Sequence, residues 1–300
     1  MRMAQAYLVI FLLLTQSYLH AQVSINCGEW DLKSGTDLLP DDSMPFSIAV
    51  PGAGLMNNAQ ISFCPSGIER SSPNDISKRH HFEWNVKYNN IYLKTSGGLV
   101  FEGMNEHGFS ASLMFFNNSR LPERDKEHIP IAASLCINFF IDHFKCIDTA
   151  LLAIWDIRIF DDSDLECGWP FRLVLHDSSG ATAYIEYVDG NRRVYTPESP
   201  ALIVGGPTYA RLITLKHFPD SIPAGKAEKR FLDITTNSIP DISWTLLQYY
   251  NESYSDHHYG ILRDHMNKEL LIIDPSVEEL KLKFSEIVFT PGKVTTKNIF

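Results

Sequence analysis

Leu99-Val-Phe-Glu-Gly-Met-Asn-Glu-His-Gly-Phe-Ser-Ala-Ser-Leu-Met-Phe-Phe116 reads as two strands closed by a tight turn. Leu99 to Phe101 and Phe109 to Phe116 are apolar and aromatic runs of strand length, and Asn105 to Gly108 supplies the turn chemistry between them. The same grammar extends outward. Trp84 to Tyr88 and Ile91 to Lys94 precede it as strands, with Gly97-Gly98 as the next turn, and Phe46 to Val50 is a further strand in a segment rich in Gly, Pro and Asp. Downstream, Phe171 to Leu175 and Ala183 to Tyr187 form a hairpin across Asp177-Ser-Ser-Gly180, and Val188-Asp-Gly190 turns the chain into Arg193-Val-Tyr195. Between these blocks the period changes. Leu135, Phe139, Phe140 and Phe144 recur at helical spacing after Pro130, which predicts one long helix or two packed ones over residues 129–154. A helix over Ser243 to Tyr250 and strands near Tyr259 to Leu262 and Glu269 to Ile273 complete an α+β chain of antiparallel sheets covered by helices.

Composition bounds the partners. With 300 residues, 44% apolar and 12% aromatic, the chain can bury a substantial core as one domain. A formal net charge of −10 disfavours nucleic acid and anionic lipid, neither of which is steered toward an acidic surface. The start of the chain has the layout of a signal peptide over residues 1–22: Arg2, an apolar stretch from Ala6 to Leu14, and a small-residue exit at Ala21. That stretch is too short to span a bilayer, so a secreted or periplasmic protein is expected, with a single domain over residues 23–300. The five cysteines, Cys27, Cys64, Cys136, Cys146 and Cys167, form an odd set, so at least one thiol stays unpaired within the chain. Cys27, just past the leader, is the candidate. A thiol beside its own free α-amine carries a built-in general base.

Several segments together resemble a known family. Gly103-Met-Asn-Glu-His-Gly108 is similar to the GMNEKG turn of the choloylglycine hydrolase and penicillin V acylase family, N-terminal nucleophile amidases with a four-layer αββα sandwich fold. In the same order, Cys64 to Arg70 resembles FPRGMER and Trp84 to Tyr88 resembles WTSKY. Leu173 to Tyr187 resembles the "aitDetGntavIEY" hairpin, Gly205 to Tyr209 resembles TNSPTF, and Lys229-Arg-Phe231 resembles SRFVRA. The resemblance implies a cysteine amidohydrolase acting on a linear amide, an N-acyl or bile-acid-type conjugate. Cys27 would be the nucleophile, Arg230 the pocket guanidinium, and Met114, Phe115 and Gly205 would line the substrate site. No cofactor and no metal is implied; the partner is a small amphipathic acyl amide, and a homo-oligomer is an open option.

The chain departs from the family pattern at the helper residues. Between Cys27 and Arg70 the one basic residue is Lys33; Asp42 falls where the first Arg is expected and Pro45 where the Asp that holds the amine is expected. The oxyanion Asn falls on Gly205, and the substrate-contacting Asn or Tyr after the GMNE turn falls on Phe115. Loss of one oxyanion donor typically costs about 10² to 10³ in rate. The alternative reading is therefore a catalytically inactive homologue that binds an amphipathic ligand or a protein partner. Bland readings apply elsewhere: Cys64 as core or disulfide, Gly103 to Gly108 as a structural turn, Trp155, Trp169 and Phe171 as core aromatics, and His80-His81 and His257-His258 as solvated loop residues.

Overall fold

In a computed structural model of the chain, the described residues are 23–27, 46–49, 58–72, 82–115, 119–123, 127–161, 171–196, 202–204, 260–273 and 279–299. They build two large antiparallel sheets. The larger has eight strands. In chain order these are β3 (Gln60–Cys64), β6 (Asn90–Lys94), β7 (Val100–Asn105), β8 (Ser110–Phe115), β11 (Phe171–His176), β12 (Thr182–Val188), β13 (Asn191–Tyr195) and β18 (Thr295–Asn298). Their spatial order is β13-β12-β11-β8-β7-β6-β3-β18. The second sheet has six strands, β1 (Val23–Cys27), β2 (Phe46–Ala49), β14 (Leu202–Val204), β15 (Gly260–Asp264), β16 (Glu269–Ile273) and β17 (Glu279–Lys283), ordered β14-β1-β2-β15-β16-β17. Small ladders join β4 (Glu69–Ser71) to β5 (Glu83–Asn85) and, in parallel, β9 (Ile129–Ala132) to β10 (Ile157–Phe160).

Alternation decides which way each face of the larger sheet points. Ala111, Leu113, Leu173, Leu175, Ala183 and Ile185 are buried on the face that packs under helix α1 (Cys136–His143). Glu102, Ser112, Arg172, Glu186 and His176, one residue out of phase, point to the other face, and there the second sheet reaches across. Arg263 of β15 grips Glu102 of β7 with Nε–Oε1 at 2.7 Å and a second Nη2–Oε2 contact, and donates to Ser112 Oγ of β8 at 3.0 Å. All three are buried. One turn further along, His265 Nδ1 sits 2.7 Å from the Gly108 carbonyl oxygen, and its ring lies 5.6 Å from that of His176. Gly108 has φ +79°, and any Cβ there would overlap the His265 carbonyl, so this turn requires glycine twice over.

The structure corrects parts of the sequence reading. Residues 129–132 are strand rather than helix: Pro130 sits in a two-stranded ladder against β10, and helix begins only after the short turn Ala133–Leu135. The helical stretch then splits into α1 and α2 (Ile147–Ala153), with Phe144 extended between them. Trp155 is 60% exposed and stacks under the Arg192 guanidinium at 4.5 Å instead of joining the core, whereas Phe171 is buried as expected. The expected covering by helices is seen in part: the described residues are mainly antiparallel sheet with few helices. The segment expected to form a helix over 243–250, and Trp169, His80-His81 and His257-His258, lie outside the described residues. No helix among the described residues is long and apolar enough to cross a membrane.

Candidate functional site

Three of the family-like segments meet at the end of α1. Asp142, fully buried, accepts from Trp84 Nε1 at 2.7 Å and Asn90 Nδ2 at 2.8 Å and pairs with Arg70 Nε at 2.9 Å. Arg70 Nη2 in turn lies 3.3 Å from Cys64 Sγ. Asn105 of the GMNEHG turn donates to the carbonyls of Ile141 and Phe144 at 2.9 and 2.7 Å, stopping the helix, while its side-chain oxygen accepts from His107 N and Phe109 N. Glu106 closes the same turn by accepting from Asn89. This is scaffold. Burial holds the Cys64 thiol up at about 11 against the opposing pull of Arg70, so it stays protonated at neutral pH and is a poor nucleophile. Burial likewise raises Asp142 to about 6, although Arg70, Trp84 and Asn90 all favour its ionised form.

The residues singled out for chemistry are distributed as follows. Cys27 is the last residue of β1. It pairs with Phe46 of β2, and Phe46 pairs with Asp264 of β15. The other end of β1 pairs with β14, Val23 opposite Val204, the residue before Gly205 in sequence. Met114 is buried in β8 against Val174 and Tyr184; Phe115 follows it and pairs with Phe171. Arg230 and Gly205 themselves lie outside the described residues. Because His265 touches Gly108 and Arg263 touches Ser112, the Asp264 end of the second sheet stands over the start of β8. Four residues of β8, about 13 Å at strand rise, separate that level from Met114. The register therefore places Cys27 at the Gly108 end and Met114 with Phe115 toward the Val23 end.

Sequence reading missed the polar inter-sheet face. Arg172 and Glu186 pair across β11 and β12 at 3.0 Å with both side chains fully buried, next to Met114 in the register. His176 and His265 are buried and held neutral, His176 well below the ordinary imidazole range and His265 at about 4, in both cases chiefly by burial. The signal was present in Phe171-Arg-Leu-Val-Leu-His176: Arg172 and His176 fall on the phase opposite Leu173 and Leu175, and Glu186 falls opposite Arg172 in the hairpin register. A cavity of about 550 Å³ opens at the Gly108 end between Asn89, Glu106, Met266, Lys268, Phe284 and Phe289. Among the described residues no group of three His, Cys, Asp or Glu is arranged to hold a metal.

Comparison with known proteins points one way. No protein-family model matches the chain. A penicillin V acylase from Pectobacterium atrosepticum is 24% identical over 157 residues, a match that covers 48% of this chain and 41% of that relative. The matched stretch thus spans less than half of the relative's length. Among solved structures, penicillin V acylase from Agrobacterium tumefaciens superposes with a TM-score of 0.69 at 14% identity, covering 91% of this chain and 90% of that one. A mutant conjugated bile acid hydrolase from Clostridium perfringens gives 0.63 at 11% identity over 93% of this chain and 97% of that one. The ordered motifs, their convergence on Asp142 and the chain-long superposition agree: the chain has the fold of these acylases and bile acid hydrolases and is similar, at low identity, to the choloylglycine hydrolase / penicillin V acylase family.

Proposed function

We propose that this chain is a secreted amidohydrolase-like protein that takes a linear acyl amide, an N-acyl or bile-acid-type conjugate, in a pocket against the inter-sheet face around Met114. The observation that carries the reading is the superposition on penicillin V acylase over 91% of the chain, a likeness of the whole fold. In the hydrolytic form of the proposal the Cys27 thiolate adds to the amide carbonyl. The leaving amine departs with a proton delivered from the Cys27 ammonium, and water then releases the acid from the thioester, with Arg230 favouring the ionised thiol. The chemistry requires Cys27 to begin the mature chain.

A second reading, binding without turnover, has its own support. Residues Val23 to Asn26 carry ladder pairs to β14 and β2, and Cys27 is at the end of β1 away from Met114. Pro45 and Gly205 offer no side chain to hold an amine or an oxyanion. Intact-mass and N-terminal analysis of exported protein, with product release from N-dodecanoylglycine, separates the two. A chain starting at Cys27, slow release that vanishes in Cys27→Ala and falls in Arg230→Ala, and no rescue by Pro45→Asp alone are the results expected for hydrolysis. A chain starting at residue 22 or 23 that binds the amide and releases nothing selects the binder.

A further inference from the structure

Tyr184 is fully buried, yet among the described residues its hydroxyl has no hydrogen-bond partner. Buried polar groups are almost always satisfied, and an orphan hydroxyl carries the full loss of its hydration. Its position says where a partner would come from. Tyr184 pairs with Val174, Val174 with Ser112 and Ser112 with Glu102, so these four side chains share one sheet face, the one on which Arg263 of the second sheet rests. Met114 and Val174 pack against Tyr184 in a small apolar cluster separate from the main core, with Tyr195 at its edge. The neighbouring row holds the buried Arg172–Glu186 pair. The hydroxyl thus stands between an apolar patch and an ion pair, on the face that carries Met114. In the hairpin that resembles "aitDetGntavIEY", Tyr184 occupies the place of an aliphatic residue, so the phenol is a feature of this chain.

We infer that Tyr184 is a specificity-determining residue whose hydroxyl donates to an oxygen acceptor carried along the acyl chain of the ligand, while Met114 and Val174 contact the hydrocarbon on either side. The inference rests on the reading that the pocket takes an acyl amide. Burial raises the phenol well above its ordinary range, with Arg172 opposing, so it is a donor at every physiological pH. A carbonyl or ether oxygen flanked by methylenes fits: it accepts one hydrogen bond and brings no charge to a buried site. A plain alkyl chain leaves the hydroxyl unsatisfied, and a carboxylate adds a charge whose desolvation one phenol does not offset.

Calorimetric titration of the Cys27→Ala protein, in which turnover is blocked, with N-dodecanoylglycine and a series of its mono-keto analogues tests this. One keto position is expected to bind about tenfold more tightly than the plain chain, the strength of one neutral hydrogen bond. In Cys27→Ala/Tyr184→Phe that advantage disappears and the plain chain binds as before. The Tm of the Tyr184→Phe variant stays level or rises, because the fold itself loses no bond. Equal affinity of every keto analogue and the plain chain in both proteins overturns the inference and leaves the acyl-amide reading standing. No binding of any chain overturns both. A fall in Tm on Tyr184→Phe shows a hydroxyl already satisfied within the fold and also overturns it.

Discussion

Under α1 the eight-stranded sheet is a run of Leu113, Leu173, Leu175, Ala183 and Ile185, while its opposite face carries Glu102, Ser112, Arg172, Glu186 and His176, equally buried. The two faces come from the same strands and differ by a phase of one residue. The helix-side face gains stability from apolar area alone, at about 25 cal/mol per Å² removed from water. On the inter-sheet face burial opposes folding unless each polar group is partnered, and here Glu102 and Ser112 are met by Arg263 of the second sheet, while Arg172 pairs with Glu186 and His176 with Thr182 inside one hairpin. Apolar area holds one side together and paired polar groups the other, and substitutions on the two sides are expected to fail differently.

The largest effect is expected at the Arg263–Glu102 pair. Glu102→Ala leaves a fully buried guanidinium without its carboxylate and should lower unfolding free energy by about 3–5 kcal/mol in urea titration. Replacing both residues with apolar ones of similar volume should recover much of the loss, whereas an equal loss in the double variant would mean that the face needs charge as such. Acid comes next. His265 at about 4 in the fold, against about 6.5 for the free side chain, binds its proton less readily folded than unfolded, so stability is present above about pH 6.5 and drains as pH falls toward 4, by about 3 kcal/mol. Asp142 works in the opposite sense: raised to about 6, it binds its proton more readily in the fold, and its share of stability fades as pH rises from about 4 through 6. The difference between wild type and His265→Asn across pH 4 to 7 therefore isolates the imidazole; parallel curves would refute the assignment. Gly108→Ala should cost about 1–3 kcal/mol by thermal melt, from the carbonyl overlap and the positive φ together, and a neutral result would mean that the two turns separate freely. The smallest effect is chemical. With mass-mapped labelling by a thiol reagent at pH 8, Cys146, half-buried beside α2, should be labelled in the folded protein, while Cys64 stays unlabelled until the protein unfolds.

The strands were legible in the sequence because alternation and turn residues act locally: the hairpin from Phe171 to Tyr187 and the strands at Glu269 to Ile273 emerge within a residue of where they were read. The start of the helical block was not, since Ile129 to Ala132 is drawn into strand by Ile157 to Phe160, a partner nearly thirty residues on that no local pattern announces. The site divides the same way. Met114 could be placed in β8 from its own strand, but the buried charges beside it make sense only as pairs, and each half alone looks like a surface residue. Adjacent histidines stand out in the sequence, whereas the pair seen among the described residues, His176 with His265, brings two distant segments together. Arg230 and Gly205 lie outside the described residues, so their roles remain those the family resemblance suggests.

The knot around Asp142 has a kinetic corollary. Its bonds reach back 52 residues to Asn90 and 58 to Trp84, and the neighbouring stop at Ile141 reaches 36 to Asn105, so each closes a long loop before it returns any free energy. A unit that needs three such closures at once assembles late. Asp142→Asn should therefore speed unfolding in stopped-flow far more than it slows refolding, and α1 should be the piece of helix that hydrogen exchange finds opening together with those three distant segments.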